Sequence, residues 1–273
     1  AERPLIVAGG AFDVPGGRAA LLRFAEAWHL PVAVSFRRHD LFPNAHPLYV
    51  GDLGLANRQE QMQAFHSSDL LLALGTRFGD ITSQGYTFPR MPRPAQTVVH
   101  CYPDAHPIGL NFAVDLGLPC DPVRLVAEAL PAQQAPPARR AWAQSLRSLY
   151  ETHACWPAPS ADAPQGLAFV DVVAALARMA PADSLLCLDA GTFGAPIYRH
   201  YPFGAGQRLF APLSGAMGFG VPAAVAAQLR EPRTRVICVV GDGGFMMTGN
   251  EMITAAARGL PILFILSNND NYG

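Results

Sequence analysis

The sequence predicts an α/β protein built from two doubly wound, Rossmann-like domains with parallel sheets. Three observations predict it. Short, almost wholly apolar runs recur along the chain, as parallel strands covered on both faces require. Amphipathic stretches of helical period lie between them, and that alternation builds a doubly wound sheet. A Pro- and Ala-rich stretch divides the series in two. With 273 residues, half of them hydrophobic, the chain can support two ordinary cores.

In the first domain, residues 1–130, strands are expected over Leu5–Ala8, Val32–Phe36, Leu70–Leu74 and Thr97–Cys101. Helices are expected over Arg18–Trp28, Arg58–His66 and Pro122–Leu130. Residues 131–165 read as a linker, because Pro131–Arg140 holds Pro-Ala-Gln-Gln-Ala-Pro-Pro and a second break follows Trp156. A short helix, Ala141–Ala154, lies within that linker. The second domain, residues 166–273, begins with helix Leu167–Met179 and strand Ser184–Leu188. A long loop with Pro196, Pro202 and Pro212 follows. Then come helix Gly218–Leu229, strand Arg235–Val240, helix Asn250–Arg258 and strand Ile262–Leu266.

Twenty basic against 21 acidic residues give a net charge of −1, which argues against nucleic acid or an anionic membrane surface as partner. No apolar run approaches the roughly 20 residues of a membrane span, and no signal peptide opens the chain. The five cysteines show no metal-type spacing; their odd number, with Cys187 and Cys238 inside apolar runs, fits reduced thiols in a cytoplasmic protein. The histidines show no metal spacing either. A charged fraction of 15% is low for a free surface and points to partner subunits. The chain has no initiator Met and stops directly after a strand, so a fragment of a longer protein is expected.

The chemistry concentrates near the end of the chain. Gly241-Asp242-Gly243-Gly244 follows a buried strand at once, and ligands of open α/β sheets bind beyond strand carboxyl ends. The glycines permit unusual backbone angles and close approach, and their N–H groups can cradle phosphate oxygens. Asp242 is placed to hold a cation against those phosphates. After 24 further residues comes Asn268-Asn269, behind the next strand. A right-handed βαβ unit would bring Asp242 and Asn269 to the same sheet end. Both offer the hard oxygens that Mg²⁺ prefers. Gly-Asp-Gly alone favours a plain helix-capping turn; the pair at this spacing favours a metal–diphosphate site.

This pairing resembles the signature of thiamine diphosphate enzymes, and Gly241–Gly273 is similar to the acetolactate synthase, pyruvate oxidase and benzoylformate decarboxylase group. The resemblance implies Mg²⁺ ligation by Asp242, Asn269 and the backbone carbonyl of Asn271. It places Gly241, Gly243, Gly244 and Tyr272 among the cofactor contacts. Ser214-Gly-Ala-Met-Gly-Phe-Gly resembles the family's pyrimidine-side loop. It implies that Met217 supports the bent cofactor and that the Gly215 carbonyl accepts from its amino group. Asp189-Ala-Gly-Thr-Phe-Gly matches the position of the family's first diphosphate loop, which suits Gly191 and Thr192 equally as phosphate contacts or as a plain turn. Acetolactate synthases carry Gln-His where this chain has Thr192 and Phe193. Phe193, Phe245 and Met246 are placed to line a substrate pocket.

The first domain resembles the family's central domain through Asp69-Leu-Leu-Leu-Ala-Leu-Gly-Thr-Arg-Phe-Gly-Asp80. Acetolactate synthases have two acidic residues after the Phe and bind FAD there. Gly79 takes one of those places, and no GxGxxG occurs, so FAD is compatible with the resemblance but not implied. Arg77 could meet a nucleotide phosphate. No segment reads as the family's pyrimidine-binding domain, which supplies the activating glutamate, so no catalytic residue is assigned and the fragment alone is expected to be inactive. The resemblance implies a decarboxylase or carboligase (a lyase or transferase) acting on a small 2-oxo acid, with a homodimer or homotetramer in the intact protein. The alternative is a non-catalytic module binding NAD, FAD or CoA without Mg²⁺.

Overall fold

A computed structural model describes residues 1–55, 57–129, 136–158 and 166–269. The chain forms two compact units, Ala1–His153 and Ala154–Gly273. Both carry parallel sheets, as the sequence predicts.

The first unit holds strands β1 (Pro4–Ala8), β2 (Val32–Ser35), β3 (Tyr49–Leu53), β4 (Leu70–Leu74), β5 (Thr97–Tyr102) and β6 (Leu116–Pro119). Their order is β3-β2-β1-β4-β5-β6, so the direction of winding reverses between β1 and β4. Side chains alternate across the sheet. Ile6, Ala8, Val32 and Val34 face one core layer with helix α1 (Gly17–Trp28), while Leu5, Val7, Ala33 and Leu71 face the other with helix α2 (Gln59–His66). The four strands expected from sequence all form. Strands β3 and β6 were not expected. Both lie at sheet edges, and Gly51 with Asp52 in β3, and Gly117 with Pro119 in β6, interrupt the apolar run that marks a central strand.

Helix α3 (Pro122–Glu128) starts on Asp121, whose carboxylate accepts from the Val123 N–H at 2.8 Å. Its expected end, Leu130, lies outside the described residues. Helix α4 (Pro137–Ala154) begins four residues before the expected Ala141 and packs on the first unit. Trp142 donates to the Pro4 carbonyl at 2.8 Å. Arg147 Nη1 donates to the carbonyls of Asn44, His46 and Tyr49 at 2.8, 3.0 and 3.1 Å.

The second unit holds α5 (Phe169–Met179), β7 (Leu185–Leu188), α6 (Ala195–His200), β8 (Arg208–Phe210), α7 (Gly220–Arg230), β9 (Val236–Gly241), α8 (Asp242–Thr248), α9 (Met252–Ala257) and β10 (Leu263–Ser267). The strand order is β10-β9-β7-β8. From β7 the chain moves to β8 on one side and then returns to β9 on the other, so winding reverses between β7 and β9. Leu186, Leu188, Ile237 and Val239 face one layer; Leu185, Cys187, Val236, Cys238 and Val240 face the other, against α7. The long loop expected around Pro202 contains α6 and the three-residue edge strand β8. Gln207, just before β8, donates to the Tyr201 hydroxyl at 2.8 Å and the Ser184 hydroxyl at 3.2 Å. That tertiary anchorage has no local sequence signal. Among the described residues no helix is long and apolar enough to cross a membrane.

Candidate cofactor site

The loops after β7 and β9 flank the point where winding reverses in the second unit, the place where open α/β sheets leave a ligand crevice. The β7 loop begins with Asp189, which is 1% exposed. Its carboxylate accepts from the Ala190 N–H at 2.6 Å, from the Gly218 N–H at 2.9 and 3.0 Å, and from the Gly220 N–H at 3.2 Å. One buried carboxylate thus ties the 214–220 loop to the end of β7. Charge-assisted bonds to backbone N–H groups are among the stronger hydrogen bonds, and they offset the cost of burying the charge. Burial, followed by the Asp189 carboxylate, pushes the neighbouring Cys238 thiol up to about 12.

Helix α8 closes the same corner. A Cβ on Gly244 would stand 2.8 Å from Asp189 Oδ2, so only glycine lets α8 come this near. Thr248, at the end of α8, donates to the Gly218 carbonyl at 2.9 Å. Gly218 itself has φ +82, in the region that favours glycine. The loop carrying Gly215 and Met217 is therefore gripped from β7 on one side and from α8 on the other. Within it, Gly215 has φ +77 and open space around it, and Met217 is 37% exposed, unusual for a methionine with a core role.

The Gly-Asp-Gly-Gly segment spans a strand end and a helix start. Gly241 is the last residue of β9, and Asp242, Gly243 and Gly244 form the first turn of α8, which has no side-chain cap. The expected helix Asn250–Arg258 forms as α9, and α8 is a further, unexpected helix that starts at Asp242 itself. Strand β10 pairs with β9 in parallel, with Ser267 opposite Gly241. Asp242 and Asn268 are hence the next residues at the same sheet end, and Asn269 follows. Asp242 is half-buried and Asn269 exposed. Asn271 and Tyr272 lie outside the described residues.

Gly191 and Thr192, after β7, are exposed. Between them and Gly241 stands the Phe193 ring: a Cβ on Gly191 would be 2.5 Å from it, and one on Gly241 3.1 Å. Phe193 also meets Phe169 edge-on, with centroids 6.2 Å apart. It therefore spaces the two loops. Phe245 packs against the core on the α7 side and under Gly249, whereas Met246 is 82% exposed.

Residues 1–130 match the central domain of thiamine pyrophosphate enzymes, and residues 189–273 match their C-terminal, thiamine pyrophosphate-binding domain. The chain belongs to the thiamine pyrophosphate enzyme family. The large subunit of acetolactate synthase isozyme 1 from Escherichia coli is 30% identical over the whole chain, which covers 47% of that relative. Acetolactate synthase large subunit of Parasynechococcus marenigrum is 31% identical over 98% of the chain and 43% of its own length. Acetolactate synthase of Mycobacterium avium is 29% identical over the whole chain and 44% of its own length. The chain thus spans about half the length of the curated relatives it matches.

In this thiamine pyrophosphate enzyme chain the second match begins at Asp189. From sequence, Asp189 is simply the first residue of the Asp189–Gly194 loop, without a role of its own. An acidic residue directly after a buried strand, with two glycine-rich segments downstream, was the available signal. In the central-domain unit, the loops after β1 and β4 bond directly to each other: the N–H groups of Gly9 and Ala11 donate to the carbonyls of Leu74 and Gly75 at 2.9 and 3.1 Å. Arg77 is exposed and donates to the Tyr102 hydroxyl at 3.1 Å.

Proposed function

We propose that the chain is part of a thiamine diphosphate- and Mg²⁺-dependent 2-oxo acid decarboxylase or carboligase of the acetolactate synthase kind. One observation carries the reading: the β7 and β9 loops and the 214–218 loop converge where winding reverses, with Asp242 and Asn269 on neighbouring strand ends. The residues fit the cofactor. The first-turn N–H groups of α8 are without a side-chain cap, and Gly191 is exposed beside them. Asp242 and the Asn269 amide are hard oxygen donors for Mg²⁺. Among the described residues no three His, Cys, Asp or Glu side chains cluster, which suits a cation completed by phosphates and water. With Thr192 and Phe193 in place of a Gln-His pair, the diphosphate would be held chiefly through backbone N–H groups.

Bound thiamine diphosphate supplies a nucleophilic carbon and an electron sink for loss of CO₂ from a 2-oxo acid. The chain's own contribution is placement. Asp242 and Asn269, with Asn271, would hold Mg²⁺ against the diphosphate. Gly191, Thr192, Gly243 and Gly244 would bind phosphate oxygens. Met217 would support the cofactor's ring system, and the Gly215 carbonyl would accept a hydrogen bond from its amino group. The activating glutamate is assigned to a domain outside these residues, and the intact protein to a cytoplasmic homo-oligomer. The reading of a non-catalytic nucleotide-binding module draws no support from the family matches.

Calorimetric titration of the intact protein with thiamine diphosphate, with and without Mg²⁺, tests the proposal. Binding is expected to need Mg²⁺ and to be lost in Asp242→Ala, with CO₂ released from at least one member of a 2-oxo acid panel. Binding that ignores Mg²⁺, or persists unchanged in Asp242→Ala, would overturn it.

A further inference from the structure

The central-domain unit carries a pair of thiols that the cofactor site does not use. Cys101 lies in β5, buried in the core layer of α1, and Cys120 lies just past the end of the edge strand β6, half-buried. Their sulfurs are 3.6 Å apart, and the Cys101 thiol also donates to the Cys120 carbonyl at 3.5 Å. A disulfide needs about 2.05 Å between sulfurs, so closure requires a movement of about 1.5 Å. Cys120 stands on the side that can move. Strand β6 is largely exposed and, at the sheet edge, pairs with β5, and Cys120 sits in the short link between β6 and Asp121, the cap of α3.

We propose that Cys101 and Cys120 are a redox pair that closes to a reversible intramolecular disulfide when a hydroperoxide is present. Cys120, the less buried of the two residues, reacts first. Its sulfur takes a hydroxyl as the peroxide O–O bond breaks, giving a sulfenic acid and one water from hydrogen peroxide. The Cys101 sulfur then attacks the Cys120 sulfur. The S–S bond forms, the S–O bond breaks, and the Cys101 proton leaves with the hydroxide as a second water. Both sulfurs are oxidised by one electron each and both peroxide oxygens are reduced. A dithiol reductant reverses the process by exchange. Burial, then the contact with Cys120, pushes the Cys101 thiol up to about 12, which disfavours Cys101 as the first thiol to react; its sulfur, 3.6 Å from that of Cys120, is placed to resolve the sulfenic acid. The bond would staple an edge strand and the start of α3 to β5, whose Cys101 carbonyl already accepts from Gly75 N–H after β4.

The molecule contains its own control. Cys187 and Cys238 stand opposite each other on β7 and β9, but both are wholly buried and burial raises both thiols. No arginine or lysine lies between Cys101 and Cys120, so a single tryptic peptide ending at Arg124 carries both. The full chain, with Cys155→Ser to remove the exposed thiol, is treated with hydrogen peroxide, unfolded in denaturant, alkylated, digested and weighed. The expected peptide is lighter by two hydrogens than its reduced form, takes no alkyl group, and regains two after dithiothreitol. In Cys120→Ser the Cys101 thiol is expected to remain alkylatable after the same treatment. Two alkyl groups on the oxidised wild-type peptide, a sulfinic acid at Cys120, or equal disulfide yield at Cys187–Cys238 would overturn the proposal.

Discussion

The Gly218 backbone N–H donates to both carboxylate oxygens of Asp189, at 2.9 and 3.0 Å, across 29 residues of sequence. This contact fixes the loop that carries Gly215 and Met217 to the end of β7. Replacing Asp189 with Ala leaves the N–H groups of Gly218 and Gly220 without their acceptor. Each buried unsatisfied group costs about 1–3 kcal/mol, so a loss of about 3 kcal/mol in urea denaturation is expected. Asp189→Asn keeps the shape and one acceptor oxygen, and a loss of about half that size is expected. A neutral result for the alanine variant would show that the loop holds its place by other means.

Gly244→Ala introduces a Cβ 2.8 Å from Asp189 Oδ2, with the carboxylate pinned by its other bonds. Overpacking of this kind costs about 1–3 kcal/mol. Gly215→Ala meets nothing within 4 Å but must hold φ +77, which costs about 1 kcal/mol through backbone strain alone. Thermal denaturation is expected to rank Gly244→Ala as the more destabilising, and the reverse order would contradict the close approach of α8.

Arg147→Leu tests whether α4 is part of the first core. The substitution keeps an apolar stem near Tyr150 but removes the donor to three carbonyls. A loss of about 2 kcal/mol is expected, together with faster hydrogen exchange along α4 at amides that are protected in the wild type.

His100 supplies a pH dependence. Burial holds its pKa below the ordinary 6.5, with the Thr76 carbonyl opposing in part. The unfolded chain therefore binds more protons than the folded one just below 6.5, and stability falls as pH drops through that value. Melting temperature is expected to decline between neutral pH and about 5.5, less steeply in His100→Gln. Some slope should remain, because His66 and His29 are also depressed, chiefly by burial. An identical slope in the variant would remove His100 from the account.

The central strands were legible because a strand covered on both faces must be apolar throughout, as in Leu70–Leu74 and Val236–Val240. Strands β3 and β6 were not, since an open edge tolerates the glycine, aspartate or proline that erases the pattern, and β8, Arg208–Phe210, is too short at three residues to show one. Helix α4 was read as linker structure because its docking depends on Arg147 and Trp142 meeting carbonyls about a hundred or more residues away.

The sequence by itself determined the α/β class, the parallel strands of both units and the Gly241–Asn269 spacing, because these rest on local periodicity and on residue chemistry a few positions apart. Only the tertiary structure decided which strands are neighbours and hence where winding reverses. It alone showed Asp189 gathering Gly218 and Gly220 under Gly244, and Phe193 standing between Gly191 and Gly241. Those contacts join segments about 30 to 55 residues apart or close a gap between two strand ends, and no local pattern encodes a distance of that kind.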